Sequence, residues 1–217
     1  MKKILIILFS IVGSIQASFS YQEMLADAKT KLGISIDIPL VESCDIDCNK
    51  YAEAGRNQIR VYKRLLDNEP YGVKRFTIFH EASHIKHNDY IVKNLLKVSI
   101  ALGLPFLMYP LLNNENNSLF PKLASAFLGL TTAALLDPKI IQSMERRADT
   151  EASFGVACET CLQECSDHLK ECHETYEREK QWTDKGYLSS DEILRIQKQF
   201  KGQQCSYHKN QTPIVTK

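Results

Sequence analysis

The chain has 217 residues, 27 Lys and Arg against 26 Asp and Glu, 44% hydrophobic residues and a formal charge of +1. Near-neutral charge without a basic run excludes an electrostatic nucleic-acid surface, and the ordinary apolar content excludes a disordered chain. Seven cysteines are too few for a disulfide scaffold of this length and many for a cytosolic enzyme, so the compartment is the first question.

Met1-Lys2-Lys3, the apolar run from Ile4 to Val12 and Ser14-Ile15-Gln16-Ala17 together have the form of a secretory signal peptide ending at Ala17, or of an uncleaved anchor. Both send the following residues out of the cytoplasm, to a periplasmic or other extracytoplasmic location. Residues 18–157 read as the main domain and 158–217 as a helical, cysteine-containing C-terminal region.

Met24, Leu25, Ala28 and Leu32 fall at helical spacing and predict a helix from Tyr21 to Leu32, stopped by Gly33. Ile34, Ile36, Ile38 and Leu40 alternate and predict a strand ending near Pro39, and Gln58 to Tyr62 predicts a second. Tyr71 to His87 returns to helical spacing through Val73, Phe76, Ile78, Phe79 and Ala82. Two apolar blocks of 19 residues follow, Asn94 to Leu112 and Ser118 to Leu136. That length just spans a bilayer, so the hairpin 94–136 is expected to engage a membrane; lying on the surface or packing inside the protein are the alternatives. Pro105, Pro110 and Pro121 weaken the spanning form, because interior prolines leave helix carbonyls unbonded. After Pro138 a helical pattern runs from Ile140 to about Lys180. Ser189-Ser190-Asp191-Glu192 is a capping box opening a last helix to about Phe200, and the tail from Gly202 reads as loose.

His80-Glu81-Ala82-Ser83-His84 is an HExxH motif. On a helix, residues four apart stand one turn above each other, so His80 and His84 can ligate one zinc ion while Glu81 faces its open side as general base toward a water. His87 is one further turn along and is not read as a ligand. Tyr90 occupies the position where metzincins carry their third histidine, which excludes that class. The missing ligand should be a carboxylate or imidazole on another helix. Met144-Glu145-Arg146-Arg147-Ala148-Asp149 offers Glu145 as third ligand and Asp149, one turn later, as acceptor for the ring N–H of a ligating histidine.

HEASHIKHND followed, beyond two apolar segments, by ERRADTEA resembles the gluzincin metallopeptidases that include HtpX, BepA and the CAAX prenyl proteases. The resemblance covers roughly residues 21–156. It implies an α+β, mostly α, zincin-like domain with a small sheet and an apolar helical hairpin between the two zinc-ligand helices. It makes His80, His84 and Glu145 the ligands of one catalytic zinc ion and Glu81 the base, with a protein or peptide as substrate. The chain departs from the family at Ser83, where glycine is usual, and in its cysteine region. The family's transition-state stabiliser has no assigned counterpart among His168, His173 and His208.

Cys158, Cys161, Cys165 and Cys172 recur at offsets that share one stripe of a continuous helix, and Cys44 and Cys48 are one turn apart. Cys44 and Cys48 facing Cys161 and Cys165 would make two rungs of disulfide, which export favours. A second zinc site, a poor match because CxxC meets CxxxC, and mostly free thiols are the alternatives. The functional expectation is a zinc endopeptidase acting on envelope or secreted proteins near a membrane, with the substrate added as a strand along an edge at Gln58 to Tyr62. A non-catalytic, membrane-associated zinc scaffold or chaperone-like module on the same fold is the alternative.

Overall fold

The computed structural model describes residues 20–43, 50–95, 119–172, 180–181 and 183–211, with the side chains of 119–137 and of residue 211 left out. The signal segment 1–17, Cys44, Cys48, His173 and most of the apolar hairpin 94–136 lie outside these residues. The fold is α+β and mostly helical, with one three-stranded sheet.

Helix α1 (Tyr21–Leu32) opens on a capping box, Ser20 with Glu23, and closes on Gly33 in the left-handed region at φ 69°. Its apolar face, Met24, Leu25, Ala28 and Leu32, is buried in the core. The alternating isoleucines after it do not form the expected strand: β1 begins only at Leu40 and runs to Ser43. Pro39 cannot donate to a ladder, and its carbonyl instead accepts from Ile59 N–H at 3.1 Å as the pairing begins. Strand β2 (Ala52–Ala54) is antiparallel and β1 parallel to β3 (Ile59–Tyr62), giving the order β1-β3-β2. The QIRVY segment is therefore the centre of the sheet, with a neighbour on each side, and offers no free edge.

A short helix α2 (Lys63–Leu66) leads to α3 (Tyr71–Lys86), the helix carrying HExxH. Most of α3 is buried, including Gly72, Val73, Arg75, Ile78, Phe79, Ala82 and Ile85. It packs against α1, α4 and α5, so it is the axis of the domain. Residues 89–95 are again helical.

Helix α4 (Leu119–Val156) is continuous through Pro138, where the sequence pattern had suggested a start. It joins the second apolar block to the segment carrying Glu145 and Asp149. Ala157, at φ 42°, breaks the chain before α5 (Glu159–Cys172), so the expected helix from Ile140 onward is two helices meeting at a bend. The expected cysteine stripe is interrupted there, with Cys158 ahead of α5. The capping box at Ser189 and Glu192 opens α6 (Ser190–Gln197), which tightens into a 3-10 turn over Lys198–Phe200. The tail is not loose up to residue 211, because α7 (Ser206–Gln211) closes it onto the core. Among the residues whose side chains are described, no helix is long and apolar enough to cross a membrane.

Candidate metal centre

His80, Glu81 and His84 are buried near the C-terminal end of α3, and Glu145 and Asp149 are buried on α4, which packs against it. Burying so many ionisable groups is costly unless each is matched, and the matching here is nearly complete. His80 Nδ1 lies 2.7 Å from Asp149 Oδ1, and His84 Nδ1 lies 2.7 Å from Asp89 Oδ2. A carboxylate only accepts, so each histidine donates from Nδ1 and turns its Nε2 inward.

Those nitrogens converge. His80 Nε2 and His84 Nε2 are 3.0 Å apart, and Glu145 Oε2 is 3.3 Å from the first and 3.1 Å from the second. Bonds of about 2.0–2.1 Å to a tetrahedrally held cation put neighbouring donor atoms roughly 3.3 Å apart, so this triangle matches one face of such a site. The three residues thus form a group able to hold a metal ion.

The carboxylates behind the imidazoles are themselves fixed. Asp149 Oδ2 accepts from the Leu188 backbone N–H at 2.8 Å, and Asp89 Oδ1 accepts from Arg147 at 2.5 Å. Asp149 was expected in this role; Asp89 was not. It reaches His84 because Asn88, at φ 56°, turns the chain back just beyond α3, a conformation asparagine tolerates. The Asn-Asp pair after the motif is the sequence signal that could have found it.

Burial opposes charge on His80 and His84, but hydrogen bonds to carboxylates outweigh it and raise both pKa values. Burial likewise opposes charge on Glu145, whose carboxyl is nevertheless held below the usual range by the two imidazoles. Lys93 Nζ is 3.0 Å from Glu145 Oε1, the oxygen turned away from the histidines. Tyr187, its ring 6.0 Å from that of His80, is raised by burial and by the charges of Glu145, Asp149 and Glu81, and hydrogen-bonds Glu145. Glu81 is buried beside both histidines, and its carboxylate has no hydrogen bond among the described residues.

His87 is turned away from this centre, 2.8 Å from Glu151 Oε1. Ser83 donates to Glu151 Oε2 at 2.8 Å and so ties α3 to α4. Neither described histidine considered as a stabiliser is at the centre. His168 contacts Tyr51 and Glu69, and His208 lies among cysteines.

Cys161 and Cys165 are free and buried, as is Cys158, while Cys172 and Cys205 are free and more accessible. The expected pairing of Cys161 and Cys165 with Cys44 and Cys48 is not formed by these two thiols. Cys161 instead faces Cys158, Cys205 and His208, a second group able to hold a metal ion. In comparisons with protein-family models, curated proteins and solved structures, the chain matches none of them.

Proposed function

We propose that the chain is a zinc metallopeptidase of the zincin type, resembling HtpX, BepA and the CAAX prenyl proteases, and that it hydrolyses peptide bonds of exported or envelope proteins. The observation that supports this reading is the convergence of His80 Nε2, His84 Nε2 and Glu145 Oε2 with the Glu81 carboxylate beside them. Two neutral imidazoles and one carboxylate suit zinc, which when bound polarises the scissile carbonyl and activates water.

Each surrounding residue then has a part. Asp149 and Asp89 hold the imidazoles in the tautomer that presents Nε2. Lys93 engages Glu145 Oε1 and leaves Oε2 toward the two histidines, where it would help to hold the ion. Glu81 takes a proton from the attacking water and returns it to the leaving amine, a role that needs a carboxylate not already committed to another donor. Tyr187, beside His80, hydrogen-bonds the Glu145 carboxylate and helps to hold it in place. A purely structural zinc site would need a fourth protein donor, and none among the described residues joins the three.

Because β3 is internal, an extended substrate would add at β1 or β2, the two edge strands of the sheet. The second apolar block belongs to the same helix as Glu145, so a hairpin over 94–136 held at a membrane would keep the centre close to its surface.

The test is cleavage of an unfolded protein by the detergent-purified full chain and by Glu81→Gln, with zinc assayed on both. Cleavage by the first, with retained zinc and no cleavage in the second, is the expected result. Equal cleavage by both would overturn the assignment of Glu81. Zinc in both without cleavage by either would favour the scaffold.

A further inference from the structure

Outside the HExxH centre, a second convergence of donor atoms joins parts of the chain that are far apart in sequence. Cys158 and Cys161 flank the start of α5, and Cys205 and His208 flank the start of α7, giving the pattern Cys-x2-Cys and Cys-x2-His. His208 Nδ1 lies 3.6 Å from Cys158 Sγ, 3.5 Å from Cys161 Sγ and 3.3 Å from Cys205 Sγ, and the sulfurs of Cys161 and Cys205 are 3.7 Å apart. We propose that these four side chains form a closed structural zinc site, distinct from the three-donor centre on α3 and α4.

The distances favour a shared ion over a disulfide. A bonded sulfur pair would be about 2.05 Å apart. Zinc bonds of about 2.3 Å to sulfur and about 2.0–2.1 Å to nitrogen put tetrahedral sulfur pairs roughly 3.8 Å apart and sulfur–nitrogen pairs roughly 3.6 Å apart. The observed separations fall within a few tenths of an ångström of those values.

The surroundings are also those of a metal site. His208 Nε2 lies 3.0 Å from Glu164 Oε1, so the ring donates from Nε2 and presents the Nδ1 lone pair to the sulfurs. Glu164 is fixed in turn by the Gly72 backbone N–H, 2.5 Å from Oε2. Backbone N–H groups of Cys161 and Cys205 point at Cys158 Sγ from 3.5 and 3.4 Å, an arrangement that favours a thiolate there. Three thiolates, a neutral imidazole and a divalent ion would carry a net charge of −1, and the buried Arg75, paired through Nη2 with Asp27 at 2.6 Å, turns Nη1 to Cys161 Sγ at 3.7 Å.

Four protein donors leave no position for water or substrate, so the site is structural. It fastens the start of α5 to α7 and, through Glu164 and Gly72, to the beginning of the helix that carries His80 and His84. This assignment does not depend on peptidase activity.

The test uses the full chain in detergent, with zinc or cobalt as the only added metal. Two zinc ions per chain are expected, falling to one in His80→Ala/His84→Ala and to one in Cys161→Ser. The cobalt-loaded protein should show a thiolate-to-metal charge-transfer band that survives the double histidine substitution and disappears in Cys161→Ser. Because Cys161→Ser can fail to fold, unsubstituted protein is also denatured with chelator and alkylated without reductant. Alkylation of the three donor thiols, Cys158, Cys161 and Cys205, together with the thiolate band in the cobalt-loaded protein, supports the site. A Cys161–Cys205 or Cys158–Cys161 disulfide, or a cobalt spectrum without the thiolate band, overturns it.

Discussion

The two donor clusters differ in their parts and, on the readings proposed above, in what they are for. On α3 and α4, three donors form one face of a coordination sphere, and Glu81, Lys93 and Tyr187 crowd around with no place in it. At the start of α5 and α7, four donors close the sphere, and the neighbouring groups, Glu164, Arg75 and two backbone amides, only hold it in place. On the proposed readings, an acid-base group beside three donors suits chemistry, and four donors among restraining contacts suit structure. The same α3 helix serves both, with its N-terminal end against one cluster and its C-terminal half forming the other.

The largest effect that separates the two should come from Glu81→Gln. Loss of a general base is expected to lower kcat roughly 10²–10⁴-fold while both metal sites stay filled, read by turnover and metal content together. Next come the carboxylates behind the histidines. Asp149→Ala and Asp89→Ala should each weaken metal binding at the three-donor centre about 10–100-fold in a chelator competition. Asp149→Ala should be the more damaging to stability, because it also strips the acceptor from the Leu188 backbone N–H. Neither change should touch the cobalt–thiolate band, and loss of that band would show that the clusters are not independent.

A smaller and more local change falls at Gly72. A Cβ there would lie 2.4 Å from the Cys161 carbonyl oxygen and 2.6 Å from its Cα, both backbone atoms that cannot step aside. Gly72→Ala is expected to cost about 1–3 kcal/mol of stability by overpacking. Because the clash is with the residue that supplies a sulfur donor, metal should be lost from the cysteine cluster before the histidine centre, as followed by thermal unfolding with metal release.

The difference in legibility between the clusters has a physical origin. His80, Glu81 and His84 are one helical turn apart, so local periodicity places them together before any tertiary structure is known. Glu145 and Asp149 required only the assumption that two helices face each other. The cysteine cluster depends on a bend at Ala157 and on a short helix in a polar tail, neither of which an apolar pattern announces. Reading Cys158 to Cys172 as one helix put Cys161 and Cys165 in the same stripe and led to disulfide rungs. In the fold Cys161 joins Cys158, and His208, which the sequence offers only as a possible stabiliser, becomes its partner across the tail. The sheet misled for a related reason: alternation marks strands but not their neighbours, so QIRVY looked like an edge while β2, three residues long, supplies its second partner. The capping residues, by contrast, act within one turn, and Gly33 and Ser189 sit where the sequence put them.

The smallest expected effect tests whether the tie between α3 and α4 is separate from the metal. Glu151 accepts from Ser83 at 2.8 Å, from Lys86 at 3.1 Å and, on the same oxygen, faces His87 at 2.8 Å. Burial pushes its carboxyl up, but the bonds from His87, Ser83 and Lys86 outweigh burial and hold it below its ordinary value. A carboxyl depressed in the folded state binds its proton more readily when unfolded, so its stabilisation is present above the unfolded pKa of about 4.3 and is lost as the pH falls through the folded one. Glu151→Gln is therefore expected to cost about 1–2 kcal/mol at neutral pH, and the gap to the unsubstituted protein should shrink as acid protonates Glu151 in the latter. Denaturant midpoints measured at a series of pH values read that gap directly. A deficit that stayed constant into the acid range would mean the substitution acts through packing against Ser83 rather than through charge.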